Sequence, residues 1–481
     1  MPDTRRPLAV LTNRSRHAHG GRVRGTLTRG SQLRSPTLPV PRRVTGETDP
    51  FAVRGAPFGE PFSLPLFLPW RFSVPGSGFD SVPLAIVGMT AYAYAMAIFS
   101  RGPSDPQSAE SPLVFVILVP CLNEANVIGR TVQRLIGLRG AALTIVIDDA
   151  SDDDSRSVVE AMLPNPRVQL LRRTGTDSRI GKGEALNAGY REILRLVTPS
   201  HLRPDQIIVC VFDADGRVDE GFFDTIAPYF ADPGTVGVQA AVRMYNARYN
   251  VLTAWQNTEF IIWGDLFARA KDRIGSATLG GNGQCVRLSA LMALGNDPWR
   301  PSLTEDLDLS IRLLLNGGRL RFCAAAAVFQ EAIPSLRALI RQRGRWMQGH
   351  FASWQYLRAV LRAPMPLSAR VDLAIFLLIP ILFVPIGVAT VGSWLNFAAN
   401  LGSWTIEGFL LWYLFGFPLA PLIVMTIHRR GGDNLPKSVW QAHAYFAYSA
   451  VWLAAACVAV GQILLGRRRW AKTSRLAEKS G

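Results

Sequence analysis

The chain is poor in cysteine and histidine and short of acidic charge. Five cysteines, Cys121, Cys210, Cys285, Cys323 and Cys457, stand among 481 residues with no CxxC pair and no zinc-type spacing. That pattern excludes a disulfide scaffold and predicts reduced, mostly buried thiols in a cytosolic compartment. The phosphate loop GxxxxGKS/T is also absent, so any nucleotide must be held by other means. Thirty-six acidic residues face 52 basic ones, for a net charge of +16 and a pI near 10.2. Such a surplus suits nucleic acid, an anionic membrane face or a phosphorylated small substrate. Eleven arginines fall in the first 54 residues, however, and the remaining basic density sits on an apolar-backed helix. Nucleic acid is not an expected partner.

What the chain does have is apolar sequence, 48% of residues with a mean hydropathy of +0.15, concentrated toward the C-terminus. Residues 1–61 are rich in Arg, Pro, Gly, Ser and Thr without an apolar period and read as a disordered basic tail. Residues 62–101 form an N-terminal membrane segment. In it, 62–72 (FSLPLFLPWRF) suits an interfacial piece, and the uncharged run 82–99 reads as one transmembrane helix stopped by Arg101.

Residues 112–333 alternate short apolar runs with helical stretches. VFVILV (114–119), LTIVID (143–148), VQLL (168–171), IIVCVF (207–212) and VGVQAAV (236–242) read as buried strands, and helices are expected near 126–138, 152–163, 183–196 and 219–231. The fold class is therefore α/β with a mostly parallel sheet, whose ligands sit beyond the carboxyl ends of the strands. Polar residues fall at those ends: Asn123 and Glu124, then Asp148 and Asp149, then Asp213 and Asp215. Asp213-x-Asp215 crowds two carboxylates that a hard divalent cation, magnesium or manganese, would relieve. Lys182 opens a helix where a phosphate or a uracil carbonyl would be favoured, or is an exposed loop lysine. Gly280, Gly281 and Gly283 around Asn282 permit close approach of a ligand, or form a plain tight turn. A long helical pattern over 249–270 precedes them.

Ser302-Leu303-Thr304-Glu305 resembles a capping box, and Glu305, Asp306 and Asp308 then exceed what capping or the helix dipole requires. One of them is a candidate general base. Residues 334–365 read as an amphipathic interfacial helix rich in arginine. Residues 371–466 supply C-terminal transmembrane helices at 373–396, 406–427 and 439–465, with Trp394, Trp404, Trp412 and Trp440 near their ends and Pro380, Pro385, Pro418 and Pro421 inside. His428, Arg429, Arg430 and Lys437 put one loop on the cytoplasmic side; a further crossing would carry Arg467-Arg468-Arg469 outside, against the positive-inside tendency. Residues 467–481 form a second basic tail.

The order Asp148-Asp149, Asp213-x-Asp215, Thr304-Glu305-Asp306 and Gln342-x-x-Arg345-Trp346, followed by membrane spans, resembles the membrane-embedded family 2 glycosyltransferases, the group of cellulose, hyaluronan and poly-N-acetylglucosamine synthases. The resemblance covers roughly 112–465. It implies a Rossmann-like GT-A domain beside a transmembrane bundle, in a multi-pass protein of the cell membrane with a cytoplasmic catalytic domain. It further implies that Asp149 holds the uracil of a UDP-sugar with Lys182 nearby, that Asp213 touches the nucleotide and that Asp215 holds the metal. Asp306, beside Glu305, would be the base; Gln342 and Arg345 would grip the diphosphate; Trp346 and Asn282 would meet the acceptor. The glycine-rich 280–284 loop departs from the FxxG-type loop of cellulose synthases. A processive polysaccharide synthase is the first expectation, one-step transfer to a membrane lipid the second, and a non-catalytic transport or assembly protein the third.

Overall fold

The computed structural model describes residues 81–102, 106, 113–198, 200–399, 402, 405–431 and 434–466; the two expected tails, the piece 62–72 and Trp404 lie outside them. Helix α1 (Ser81–Phe99) precedes β1 (Val114–Cys121), α2 (Ile128–Gly137), β2 (Ala141–Asp148), α3 (Ser155–Glu160), β3 (Val168–Arg172) and α4 (Lys182–Val197). Then come β4 (Ile207–Val211), β5 (Arg217–Val218), α5 (Phe222–Ile226), β6 (Thr235–Met244), α6 (Val251–Ile262), α7 (Arg269–Ile274), β7 (Gln284–Arg287) and α8 (Leu288–Met292). Helix α9 (Glu305–Leu315), β8 (Arg319–Gln330), α10 (Leu336–Ala352) and α11 (Leu357–Arg362) follow. Helices α12 (Leu367–Ala399), α13 (Ile406–Gly416), α14 (Ala420–Gly431) and α15 (Leu435–Leu464) complete the described chain.

The strands form one sheet in the order β3-β2-β1-β4-β7-β6-β8-β5. β1 pairs in parallel with β2 and β4, β2 with β3, and β6 with β8; β7 runs against β4 and β6, and β5 against β8. Six strands thus share a direction, and their carboxyl ends share an edge. β2 and β4 are buried at every residue, as continuous Val/Ile runs require when both faces are covered. Tyr190 and Ile193 of α4, Leu309 and Ile311 of α9 and Trp299 fill one face; Ile128, Val132 and Leu135 of α2 with Phe222 and Phe223 of α5 fill the other. The five expected strands are all present. β5, β7 and β8 are additions to them.

Helix α1 is tied to the sheet domain by a buried polar clamp. Asp372 of α12 accepts from Tyr92 Oη at 2.7 Å and Ser276 Oγ at 2.6 Å and pairs with Lys271 Nζ of α7 at 2.5 Å. Cys121, Cys210, Cys285 and Cys323 are buried, as expected for most of the thiols, and Cys457 is exposed.

Three local expectations need correction. The 249–270 helix widens into a π turn at Trp263–Ala268, a distortion that often marks a functional site. The 334–365 helix is two helices joined by a tight turn at Ser353–Tyr356, where Ser353 Oγ bonds back to Gly349 O at 3.1 Å and Trp354 Nε1 donates to Leu377 O at 2.5 Å. Nor does α10 simply lie on an interface: its Arg343 is 1% exposed, and a Cβ on its Gly344 would reach Val458 of α15 at 3.1 Å. The expected 406–427 span is α13 and α14, separated because Pro418 lacks a donor and pushes Phe417 out of helical geometry, φ −131° and ψ 41°. Among the described residues one helix, Leu435–Leu464, is long and apolar enough to cross a membrane, with Ile86–Phe99 a shorter apolar helix.

Candidate active site

The β1 and β2 ends interlock through three non-glycine residues in the left-handed region: Asn123 (φ 52°), Ala150 (φ 63°) and Arg179 (φ 60°). Asn123 N donates to Ser151 Oγ at 3.0 Å, Asp152 N donates to Asn123 Oδ1 at 2.8 Å, and Arg179 Nε donates to Ala150 O at 3.1 Å. Strain of this kind persists only where the surroundings over-determine it. Asp148 has a structural task, accepting from Ser151 N at 3.0 Å. Asp149, which lines the cavity, pairs with Arg173 and accepts from Arg179 N at 3.0 Å.

At the β4 end, Asp213 Oδ1 meets Lys182 Nζ at 2.6 Å, and the turn closes by Gly216 N donating to Asp213 O at 2.8 Å. Asp215 is 2% exposed and accepts from Glu331 N at 2.9 Å; Glu331, just past β8, accepts from Tyr245 Oη at 3.1 Å. Among the described residues no three His, Cys, Asp or Glu converge as metal ligands. Magnesium and manganese do not need three: they are held by one or two carboxylates and complete their shell with substrate phosphate and water. Asp213 and Asp215 fit that arrangement.

Asn282 lines the cavity too, but both ends of its amide are engaged within the fold. Its Oδ1 accepts from Asp213 N at 3.1 Å and its Nδ2 donates to Gln330 Oε1 at 2.9 Å. The side chain expected to meet an acceptor therefore braces the Asp213 turn. Gly281 (φ +78°) makes the close approach instead: a Cβ there would lie 3.1 Å from Asp306 Oδ2 and 3.4 Å from Lys182 Nζ.

The three carboxylates that open α9 separate by environment. Asp308 pairs with Arg312 Nε at 2.8 Å and accepts from Tyr356 Oη at 2.5 Å. Glu305 is buried 3.8 Å from Lys182 Nζ. Asp306 is half-buried on the cavity wall, its Oδ1 accepting from Leu307 N at 2.8 Å. The expected capping box is not made: Thr304 provides no side-chain cap, and its Oγ1 is turned to Gly349 of α10. Burial works against the charge on Lys182, but Asp213 and Glu305 outweigh it and hold the ammonium above its ordinary range. Burial also raises the Asp306 carboxyl, against the pull of Lys182.

Helix α10 brings Gln342, Arg345 and Trp346 to the same cavity. Burial holds the Arg345 guanidinium below its ordinary range, opposed by the charges of Glu305, Asp306 and Asp213. Trp346 meets Phe260 edge-on, ring centroids 6.4 Å apart. Carboxylates from three elements and a guanidinium from a fourth thus surround one space.

Residues 112–349 match the model of the family described as glycosyltransferase like family 2. This segment is a family 2 glycosyltransferase domain. A beta-monoglucosyldiacylglycerol synthase of Synechocystis sp. is 32% identical over 270 residues, 54% of this chain and 53% of that protein. Its namesake in Trichormus variabilis is 30% identical over 290 residues, 58% of each chain. The chain spans about half the length of these curated relatives. A mannosyltransferase from Pyrobaculum calidifontis, solved in complex with GDP-Man and Mn2+, shares the fold, with a TM-score of 0.54 at 17% identity over 80% of this chain and 99% of that one. The Rossmann-like GT-A sheet expected from the sequence is the one observed.

The glycosyltransferase domain opens into a cavity of about 800 Å³ that continues from Asp306 and Trp346 into apolar walls supplied by α1, the π turn, α12, α14 and α15, among them Trp263, Phe267, Phe376, Leu419 and Trp452. Glu331 and Glu259 are cavity residues that sequence reasoning did not single out.

Burial pushes the Glu305 carboxyl up from 4.5 to about 7, with Lys182 opposing and Asp306 adding to the rise. A carboxyl raised by folding contributes stability below its unfolded pKa and loses it as pH rises through the folded value. The unfolding temperature of the donor-free protein is therefore expected to fall between roughly pH 5 and 8 by a few degrees more than that of Glu305→Gln. Parallel pH curves for the two proteins would discharge Glu305 from this role.

Proposed function

We propose that the chain is an inverting glycosyltransferase that moves a hexosyl unit from a UDP-sugar to the hydroxyl of a membrane lipid. The observation that carries this reading is the cavity: it begins among Asp306, Lys182 and Arg345 and runs on between apolar helix faces, chemistry suited to a hydroxyl head on an acyl or prenyl body. The two relatives named as beta-monoglucosyldiacylglycerol synthases support it, as does α15, apolar and long enough to cross a bilayer.

In this mechanism Asp149 receives the uracil, and Lys182, Gln342 and Arg345 receive the diphosphate. Asp213 and Asp215 would hold magnesium or manganese, whose charge supports the departing diphosphate when bound. Asp306 takes the proton from the acceptor hydroxyl. That oxygen then bonds to the anomeric carbon from the face opposite the diphosphate, and the bond to the diphosphate oxygen breaks with its electron pair leaving on UDP. Fixed positive charge at the leaving group needs little reorganisation.

A second reading, processive synthesis of a β-linked polysaccharide, is favoured by Trp346 and the further aromatic residues Trp263 and Trp452 along the same cavity, since sugar rings stack on such faces. UDP release by the detergent-purified protein, with products partitioned into organic solvent and sized, separates the two. We expect a small organic-phase product, and loss of release on chelation with recovery on adding magnesium or manganese. A high-mass aqueous product would replace the lipid reading with the polymer one, and no release from any donor would overturn both.

A further inference from the structure

The helix that carries Gln342, Arg345 and Trp346 also carries an arginine that reaches no solvent. We infer that Arg343 is a positioning residue for diphosphate recognition, fixing which end of the Gln342 amide faces the ligand, and that Glu259 with Tyr448 and Trp452 holds it in place. The inference rests on the reading above in which Gln342 grips the diphosphate.

Arg343 is 1% exposed, so its charge must be met inside the fold. Its NH1 donates to Gln342 Oε1 at 2.7 Å, and its NH2 donates to Glu259 Oε2 at 2.6 Å and Tyr448 Oη at 3.3 Å. The face of the guanidinium lies 4.0 Å from the centre of the Trp346 ring. Glu259 is held in turn: its Oε2 accepts from Tyr448 Oη at 3.0 Å and its Oε1 from Trp452 Nε1 at 2.8 Å. One planar cation thus joins α6, α10 and α15.

The consequence for Gln342 follows from its chemistry. A primary amide has an acceptor end and a donor end of nearly equal size, and only its partners decide which way it points. An arginine N–H on Oε1 can be satisfied in one orientation alone. It leaves the NH2 group, a double donor, for whatever else the side chain meets. A diphosphate has only acceptor oxygens, so the flipped amide would set oxygen against oxygen. Lysine cannot substitute fully, because Arg343 makes its contacts in three directions from one rigid plane and stacks on Trp346 besides.

The test uses the full chain in detergent with magnesium present, and measures equilibrium binding of UDP and of uridine together with the unfolding temperature. Glu259→Gln, Arg343→Lys and Arg343→Met are each expected to weaken UDP about tenfold, the scale of one hydrogen bond to a charged group, with Arg343→Lys the mildest. Uridine binding should be unchanged, a selectivity that general damage to the fold would not produce. Added to Gln342→Ala, which should itself weaken UDP, none of the three should cost anything further. Additive losses, equal loss of uridine, or unchanged UDP affinity in all three variants would overturn the inference while the role of Gln342 stood. If Gln342→Ala alone left UDP affinity intact, the diphosphate reading of Gln342 would fall and the inference with it. Should Arg343→Met fail to fold, Glu259→Gln and Arg343→Lys decide the matter.

Discussion

Asp306→Asn is expected to lower sugar transfer by about two to four orders of magnitude, the usual worth of a positioned base, while UDP binds as well as before or better. Each neighbour is disqualified as the base by its own contacts. Asp308 is committed to Arg312 and Tyr356, and Glu305 is buried beside Lys182. Asp306 and Glu305 both line the cavity, but Asp306 is the more exposed of the two, and Leu307 N at 2.8 Å fixes its rotamer. The substitution keeps the shape and removes a negative charge near the diphosphate site, so donor affinity should not suffer. Turnover by UDP release, with UDP affinity measured on the same sample, checks both halves. Normal turnover by Asp306→Asn would move the base elsewhere. Asp306→Glu should also lower transfer, because the added methylene shifts the carboxylate from the position that Leu307 N at 2.8 Å fixes.

The second large effect is expected at Gly349, which contacts no substrate. A Cβ there would stand 2.5 Å from Thr304 Oγ1, 2.6 Å from Thr304 Cγ2 and 2.9 Å from Thr304 N. A side chain can turn aside; the backbone nitrogen cannot, because it leads directly into Glu305 and Asp306. Gly349→Ala must therefore lift α10 off the start of α9, and Arg345, one turn away, moves with it. Overpacking of this kind costs about 1–3 kcal/mol, and a displacement of ~1 Å between a base and an anion clamp can cost about a hundredfold in rate. We expect a lower unfolding temperature and a kcat reduced by about a hundredfold. Thr304→Ala placed on top should recover part of the stability, since it removes the two side-chain contacts and leaves the backbone one. A Gly349→Ala protein with wild-type kcat would mean that the two helices need not be in register for transfer.

The sequence made some of this site legible and hid the rest for identifiable reasons. Uninterrupted Val/Ile runs announced β1, β2 and β4 (Ile207–Val211), and the acidic residues at their ends followed directly. β8 (Arg319–Gln330) escaped because RLRFCAAAAVFQ opens with charge and continues in alanines, which have low strand preference; Glu331 at its end was lost with it. Glu259 and Arg343 meet across 84 residues, a relation that no local pattern records. Asn282 was noticed for its glycine neighbours, yet its buried amide answers to Asp213 N and Gln330. Ala150 (φ 63°) gave no sign at all, because alanine is not a residue that favours left-handed geometry. The membrane reading was the most generous. Pro418 splits one expected span, and among the described residues only Leu435–Leu464 has the length and apolarity to cross.

The contact between Arg343 and Tyr448 has a consequence in time. The two residues are 105 positions apart, and a ribosome adding about 5–20 residues per second needs roughly 5–20 s to make the second after the first. During that interval the sheet, Asp306 and Gln342 have all been synthesised, but the brace that orients the amide has not. Until helix 435–464 has emerged and docked, a nascent chain lacks Tyr448 and Trp452 and, on the inference above, is expected to bind UDP about tenfold more weakly than the finished protein.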